Sequence, residues 1–235
     1  MRASRVLFLV FPLLAAGCLA KPHLIMPVQE VRSKVHTVCV TSITTDLEFE
    51  GRAERLPVFD AIFLQETART GWTVVEPARF EALALRVASS AGGSFDPITG
   101  EKDVAKAEAI VAAMRKAANQ ELGCDGFLHP ELVIATASWG EYGAGWDGVR
   151  QAMGMTGNAY GHVPALSIRV RLEGMDGEEV FYGTGGVQVL STLESTGFLQ
   201  RDFASVSESS LLANNAHLFA ASRAALAPFL PPAKR

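Results

Sequence analysis

Two apolar runs near the carboxyl-terminal end constrain the fold more than any other feature of the sequence. The runs cover residues 165–173 and 180–190, and Met175-Asp176-Gly177-Glu178 lies between them. An Asp-Gly pair between two alternating apolar runs favours a tight turn, because Gly and Asp tolerate the positive φ that such turns require. The sequence therefore predicts an antiparallel hairpin, and the fold must contain a sheet.

The segments before this hairpin alternate between strand and helix patterns. Residues 34–42 are apolar and β-branched on both faces, which indicates a strand covered on both sides. A helix is predicted from Pro57 to a glycine end at Gly71, because proline is favoured at the first helical position. A short strand over 72–76, a second helix over 79–88 and a loop over 89–100 follow.

A long amphipathic helix is the clearest periodic segment. Its apolar side chains recur three and four residues apart, and we expect them to form the buried stripe: Val104, Ala107, Val111, Met114, Ala118 and Leu122. Gly123 ends the helix. A strand bent by Pro130 is predicted over 127–136, and a last helix over 214–229.

This order of elements predicts an α/β fold. The sheet is mixed, helices pack on it, and the three carboxyl-terminal strands are mostly antiparallel. Hydrophobic residues make up 49% of the chain and charged residues 20%, which is typical of a globular protein and excludes a disordered one. We assign residues 34–235 to a single domain.

The amino terminus has the parts of an export signal. Arg2 and Arg5 precede the apolar residues 6–16, and this run of about eleven is short of the roughly 20 that a transmembrane helix needs. Residues 14–18, Leu-Ala-Ala-Gly-Cys, resemble the bacterial lipobox, although the family usually has Leu where Ala15 stands. The resemblance implies removal of residues 1–17 and lipid attachment to Cys18. The alternative is an ordinary secretory signal followed by an incidental cysteine.

Residues 18–33 are expected to form a tether between the lipid and the domain, since they contain Pro22 and Pro27 and lack a period. Palmitate and a second acyl chain on Cys18 would hold the protein stably on the membrane. Leu19 follows the cysteine where an inner-membrane sorting signal would have Asp. By this resemblance the chain is lipid-anchored in the outer membrane and faces the periplasm.

Two further cysteines, Cys39 and Cys124, could form a disulfide in an oxidising periplasm. Cys39 lies within a predicted apolar strand and Cys124 lies just before another. Free cysteines are also commonly buried in such places. We favour two buried thiols, and the disulfide remains the alternative.

The order of elements resembles a known group of envelope domains. A short Trp-Thr-Val-Val-Glu strand, a long helix ending in residues 122–128 and the hairpin over 165–183 are similar to the curli-secretion lipoprotein CsgG, the TolB amino-terminal domain and lipoproteins that activate peptidoglycan synthases. The matching motif positions are Gly123, Asp125 and Asp176-Gly177. The resemblance implies a non-enzymatic module that binds protein partners or self-associates.

Catalytic, metal and nucleic-acid signatures are missing from the sequence. No Gly-x-Ser-x-Gly pentapeptide occurs, the five histidines are scattered singly, and no Lys/Arg cluster accompanies the formal net charge of −4. His129 could act as a general base, although a lone histidine at a strand start is usually structural. We therefore expect no catalytic residue, no cofactor, no metal and no nucleic-acid partner.

Residues 139–161 are the best candidate for partner recognition. Their glycines alternate with four large aromatic side chains, the types most often found at interaction hot spots: Trp139, Tyr142, Trp146 and Tyr160. We expect Trp146 to be the most exposed of them. The alternative is that the rings fold back and cover one face of the sheet.

The sequence thus predicts a non-catalytic, membrane-anchored lipoprotein that binds an envelope protein or itself during envelope assembly. The alternative is an enzyme or carrier acting on a periplasmic small molecule or on peptidoglycan. An enzyme should have a deep polar pocket, whereas a binding module should present an uncovered surface.

Overall fold

A computed structural model describes residues 23–95, 99–140, 143–152, 161–195 and 201–232. The helices in these ranges are α1 (Val28–Lys34), α2 (Arg52–Ala68), α3 (Pro77–Ser90), α4 (Val104–Ala117) and α5 (Asn215–Ala225). The strands are β1 (His23–Leu24), β2 (Thr37–Val40), β3 (Thr73–Val75), β4 (Gly126–Gly140), β5 (Gly143–Trp146), β6 (Val149–Gln151), β7 (Gly161–Gly174), β8 (Glu179–Val189), β9 (Ser191–Ser195) and β10 (Arg201–Ser205).

The main sheet has the strand order β1-β8-β7-β4-β2-β3. Strands β2, β3 and β4 are parallel to one another, whereas β4, β7, β8 and β1 pair antiparallel. The β5–β6 hairpin adds to the free part of β4, and β9 and β10 form a separate ribbon. The predicted fold class, an α/β fold with a mixed sheet and antiparallel carboxyl-terminal strands, is confirmed.

Helices cover the two faces of the sheet unequally. Helices α2 and α5 pack on one face, where β4 and β7 contribute apolar side chains such as Leu132 and Ile168. On the other face, a smaller cluster joins Phe80 of α3 to Phe127 of β4, with ring centroids 5.6 Å apart. This second face is covered at one end by α3 and α4 and at the other by the β5–β6 hairpin.

The predicted hairpin is present as β7 and β8. Gly177 has a φ of 85°, and the Gly174 amide donates to the Glu178 carbonyl over 2.9 Å. The glycines of β8 allow close packing: a Cβ added to Gly185 would lie 1.9 Å from the Ala221 carbonyl oxygen of α5. A register shift opposite Leu166 and Ser167 also places a bulge in β8.

Two predicted boundaries differ from the structure. Helix α2 begins at Arg52, five residues before Pro57, which lies on an exposed position inside the helix; there water can satisfy the carbonyl that loses its amide partner. Residues 23–33, which we assigned to the tether, belong to the folded domain. Strand β1 pairs with β8, and Val31 of α1 is fully buried.

The predicted buried stripe of α4 is wrong in its amino-terminal half. Val104 is 61% exposed and Val111 37% exposed, while Ile110 and Ala118 are buried. The reason is that α4 packs along α3, and its chain approaches the sheet at the following π-helical turn (Ala118–Leu122). Gly123 ends this turn with a φ of 72°, as predicted.

Cys39 and Cys124 form a disulfide, with their Cα atoms 5.7 Å apart. The preference for two free thiols was therefore wrong. The pairing arises because β2 runs parallel to the start of β4, which brings Cys39 beside the residues that follow α4. Asp125 strengthens the same junction, since its Oδ1 accepts hydrogen bonds from the amides of His36 and Thr37 over 2.9 and 2.8 Å.

Candidate functional site

None of the helices in the described residues lies over the central part of the second sheet face. Alternate residues of β4, β7 and β8 share this face because successive side chains of a strand point to opposite sides. The pairing register places His129, Arg171 and Tyr182 in one row and Glu131, Arg169 and Thr184 in the next. We call these six residues the polar sheet face. Arg171 is exposed and the other five are half-buried.

Arg169 links the middle of the polar sheet face. Its Nε and Nη2 atoms donate to Oε2 of Glu131 over 3.1 and 2.8 Å, and Tyr182 lies near its guanidinium. Both charged side chains are about one-third exposed, at 35% and 32%. The two hydrogen bonds therefore fix the orientation of this pair, while its exposed third remains accessible to a partner. Such half-exposed pairs contribute little to folding stability by themselves.

His129 lies at the α3–α4 end of the face. Its Nε2 is 3.8 Å from Oε2 of Glu173, and the same oxygen accepts a 2.6 Å hydrogen bond from Arg115. Burial lowers the pKa of His129; Glu173 opposes this effect, while Arg171 and Arg115 add to it. The imidazole is therefore neutral at pH 7, and the Glu173 carboxylate is neutralised mainly by Arg115.

A cavity of about 280 Å³ opens between His129 and the helices. Its polar lining comes from Thr41, which follows β2, from Arg115 of α4, and from three residues of β4 and β7: His129, Arg171 and Glu173. Its apolar wall comes from the two helices: Phe80 and Ala84 of α3, and Val111 and Met114 of α4. The cavity is thus amphipathic, and it joins the polar sheet face through His129 and Arg171.

The β5–β6 hairpin closes the opposite end of the face. Asp147, in its turn, accepts hydrogen bonds from Ser167 over 2.5 Å and from Thr184 over 3.0 Å, and its carbonyl accepts from the Gly186 amide. Asp147 has a φ of 39°, which the neighbouring Gly148 and these bonds support. The hairpin is therefore fixed to β7 and β8.

The predicted exposure of Trp146 is wrong. The ring is 7% exposed, its Nε1 donates to the Leu166 carbonyl over 3.2 Å, and it fills the space above Gly186. Small neighbours such as Ala144 and Ala165 make room for it. The alternative, that the segment folds back on the sheet, holds for this ring, and little of the Trp146 surface is left for a partner to contact.

The other aromatic candidates are placed differently. Trp139 is half-buried and packs across the strand pair on Gly161, whose added Cβ would lie 2.6 Å from Trp139 Nε1. Tyr142, Tyr160 and the predicted lipid site Cys18 lie outside the described residues. Of the four aromatic candidates, the structure therefore describes Trp139 and Trp146.

Sequence reasoning missed the polar sheet face, although a signal was present. Arg169, Arg171 and Glu173 alternate with apolar residues in β7, and Glu131 and His129 alternate in β4. A strand with charged residues at every second position has a solvated face. This solvated face was missed because the apolar strand patterns elsewhere in the chain suggested that helices cover the sheet on both faces.

The described residues contain no group of three or more His, Cys, Asp or Glu that could hold a metal ion, and no helix among them is long and apolar enough to cross a membrane. The hydroxyl of Ser167 is bonded to Asp147 and is not next to His129 in the strand register. The geometry of the polar sheet face suits recognition by paired charges and a tyrosine.

Comparison with known proteins gives no family. No family model matches the chain, and no curated protein matches it. Among solved structures, two PelC dodecamers from Paraburkholderia phytofirmans are similar at 11% and 12% identity. The first comparison covers 84% of this chain and 91% of that chain with a TM-score of 0.35, and the second covers 83% and 88% with a TM-score of 0.33.

Proposed function

We propose that this chain is a non-catalytic lipoprotein of the bacterial envelope, anchored through Cys18 in the outer membrane and facing the periplasm. Its domain binds a protein partner, or a second copy of itself, on the polar sheet face. The proposal combines the signal and lipobox of residues 1–18 with a sheet centre over which the described residues place no helix.

The observation that carries the binding role is the uncovered polar sheet face itself. Tyr182 lies on β8 at one side of this face, next to Arg171 in the strand register and near Arg169 of the Glu131–Arg169 pair. Tyrosine and arginine are enriched at interaction hot spots, where a partner removes them from water. The β5–β6 hairpin and the α3–α4 pair bound this surface, so that a partner would dock between two fixed walls.

The anchor would place the domain close to the membrane. Cys18 precedes His23, the first described residue, by five positions. A fully extended segment of this length spans at most about 17 Å. Strand β1 would therefore lie near the lipid surface.

The second candidate function, an enzyme or carrier for a periplasmic small molecule or for peptidoglycan, is favoured by the amphipathic cavity beside His129. A neutral histidine near a carboxylate could accept a proton. One observation argues against this role. The Glu173 carboxylate accepts a hydrogen bond from Arg115 over 2.6 Å, whereas His129 is 3.8 Å away, too far to hydrogen-bond it.

The experiment is a crosslinked pull-down of the intact lipoprotein from envelope extracts. We expect Tyr182→Ala to reduce recovery of the partner or of the second copy severalfold. Val58→Ala, an exposed position on α2 of the opposite helix layer, serves as the matched control and should recover it normally. If Tyr182→Ala and Val58→Ala recover equal amounts, or if no envelope protein and no second copy is crosslinked, the binding role is wrong.

A further inference from the structure

We propose that the cavity between α3, α4 and the sheet binds the carboxy-terminal residue of a partner protein. The apolar side chain of that residue enters the cavity, and its terminal carboxylate pairs with Arg171. This inference rests on the proposed binding function and names the part of the partner that is recognised.

The size and lining of the cavity suit one apolar side chain. Its volume of about 280 Å³ lies just below the usual range of small-molecule pockets, which begins at about 300 Å³. Apart from Arg115, the wall contributed by the helices is apolar: Phe80, Ala84, Val111 and Met114. A leucine or phenylalanine side chain entering it would lose apolar surface to these four residues.

One of the positively charged residues at the cavity, Arg171, lacks an acidic partner among the described residues. Arg115 is paired with Glu173 over 2.6 Å, and Arg169 is paired with Glu131 over 2.8 Å. Arg171 is exposed, and within the described parts of the chain it has no hydrogen-bond or ion-pair partner. A guanidinium binds a carboxylate through two parallel hydrogen bonds, so Arg171 offers a site for one anionic group next to the apolar wall.

An exposed apolar stripe leads along α4 to this cavity. Val104 and Val111 are seven residues apart, on the same face of the helix and about 10 Å apart along its axis. Val111 lines the cavity and Val104 lies beyond it. The stripe offers contacts to the residues that precede a chain terminus. A free short-chain acid has no such residues and would not make these contacts.

Binding is measured by fluorescence anisotropy with a fluorescein-labelled peptide, Gly-Ser-Gly-Ser-Val-Leu, added to the folded Cys18→Ala protein. The free-acid peptide should bind saturably. The carboxy-terminal amide of the same peptide should bind about tenfold more weakly or worse, because it cannot form the charge-assisted pair. Arg171→Gln should weaken binding of the free-acid peptide by the same factor. Arg150 is an exposed arginine on β6, and Arg150→Gln should leave this binding unchanged.

Two further arms test the cavity and the source of the carboxylate. Ala84→Phe should fill the cavity and abolish binding, with a melting temperature measured in parallel. Hexanoate should displace the peptide only weakly. If hexanoate displaces it at concentrations equal to those of the peptide, the occupant of the cavity is a free acid and not a chain terminus, and the proposal is overturned. Equal binding of acid and amide, or no saturable binding, also overturns it. A pull-down that still depends on Tyr182 would then leave the proposed function standing.

Discussion

Arg223 of α5 donates two hydrogen bonds of 3.0 Å to the carboxylate of Glu66 on α2, and the Glu66 side chain is 1% exposed. Arg69 adds a third bond of 2.6 Å to the same group. The contact joins the two helices that cover the first face of the sheet. A buried carboxylate requires such partners, because transfer of an unpaired charge out of water is unfavourable.

We predict that Arg223→Ala destabilises the domain by about 2 kcal/mol in urea denaturation, since it leaves a buried charged acceptor with one remaining partner. Adding Glu66→Leu to Arg223→Ala should recover most of this loss, because the unpaired carboxylate is then absent. A double variant less stable than Arg223→Ala would show that the carboxylate is not the cause.

Loss of the Cys39–Cys124 disulfide should destabilise the domain by about 4 kcal/mol, because the bridge closes a loop between residues 85 positions apart. The Cys39→Ala/Cys124→Ala variant and the reduced wild-type protein should unfold at similar urea concentrations, both well below the oxidised protein. Two titratable thiols in the denatured, unreduced protein isolated from the envelope would contradict the bridge.

Trp146→Ala should cost roughly 3–5 kcal/mol, as truncation of a buried aromatic side chain usually does. The ring fills the space above Gly186 and donates to the Leu166 carbonyl, so both a cavity and an unpaired carbonyl result. Arg150→Ala, four residues along the same hairpin and exposed, should change the melting temperature little. Equal melting temperatures for the two variants would place Trp146 at the surface.

Stability should fall as the pH decreases below 6.5, with a contribution from His129. Burial lowers its pKa in the folded protein below the ordinary value of 6.5, so the unfolded chain binds the proton more readily. Stability is then complete above pH 6.5 and decreases as the pH falls through 6.5 towards the folded-state pKa. His129→Gln should have a flatter profile by urea denaturation; a parallel profile would mean that His129 does not titrate differently on folding.

The elements with local signals could be predicted from the sequence. Asp176-Gly177 specified the β7–β8 hairpin and Gly123 the end of the long helix, because positive-φ positions depend on the residue itself. The same Asp-Gly signal occurs at Asp147-Gly148. It was overlooked because the surrounding glycines suggested a flexible loop.

Features that depend on distant contacts could not be predicted in the same way. The periodicity of α4 indicated which residues share a side, but not that α3 would take the contact and leave Val104 and Val111 exposed. The disulfide depends on the parallel pairing of β2 with β4. In the candidate site, the alternation of Arg169 and Arg171 could be read from the sequence. The sequence did not show that none of the described helices would cover this part of the sheet.

Attachment of lipid to Cys18 tests the central claim most directly, since the proposed envelope module is anchored there. The measurement is palmitate labelling with mass spectrometry of the mature amino-terminal peptide, for the wild type and for Cys18→Ala. We predict an acylated peptide that begins at Cys18, recovery in the outer-membrane fraction, and loss of both in the variant. Palmitate on the Cys18→Ala protein, or an unmodified wild-type amino terminus, would contradict the account.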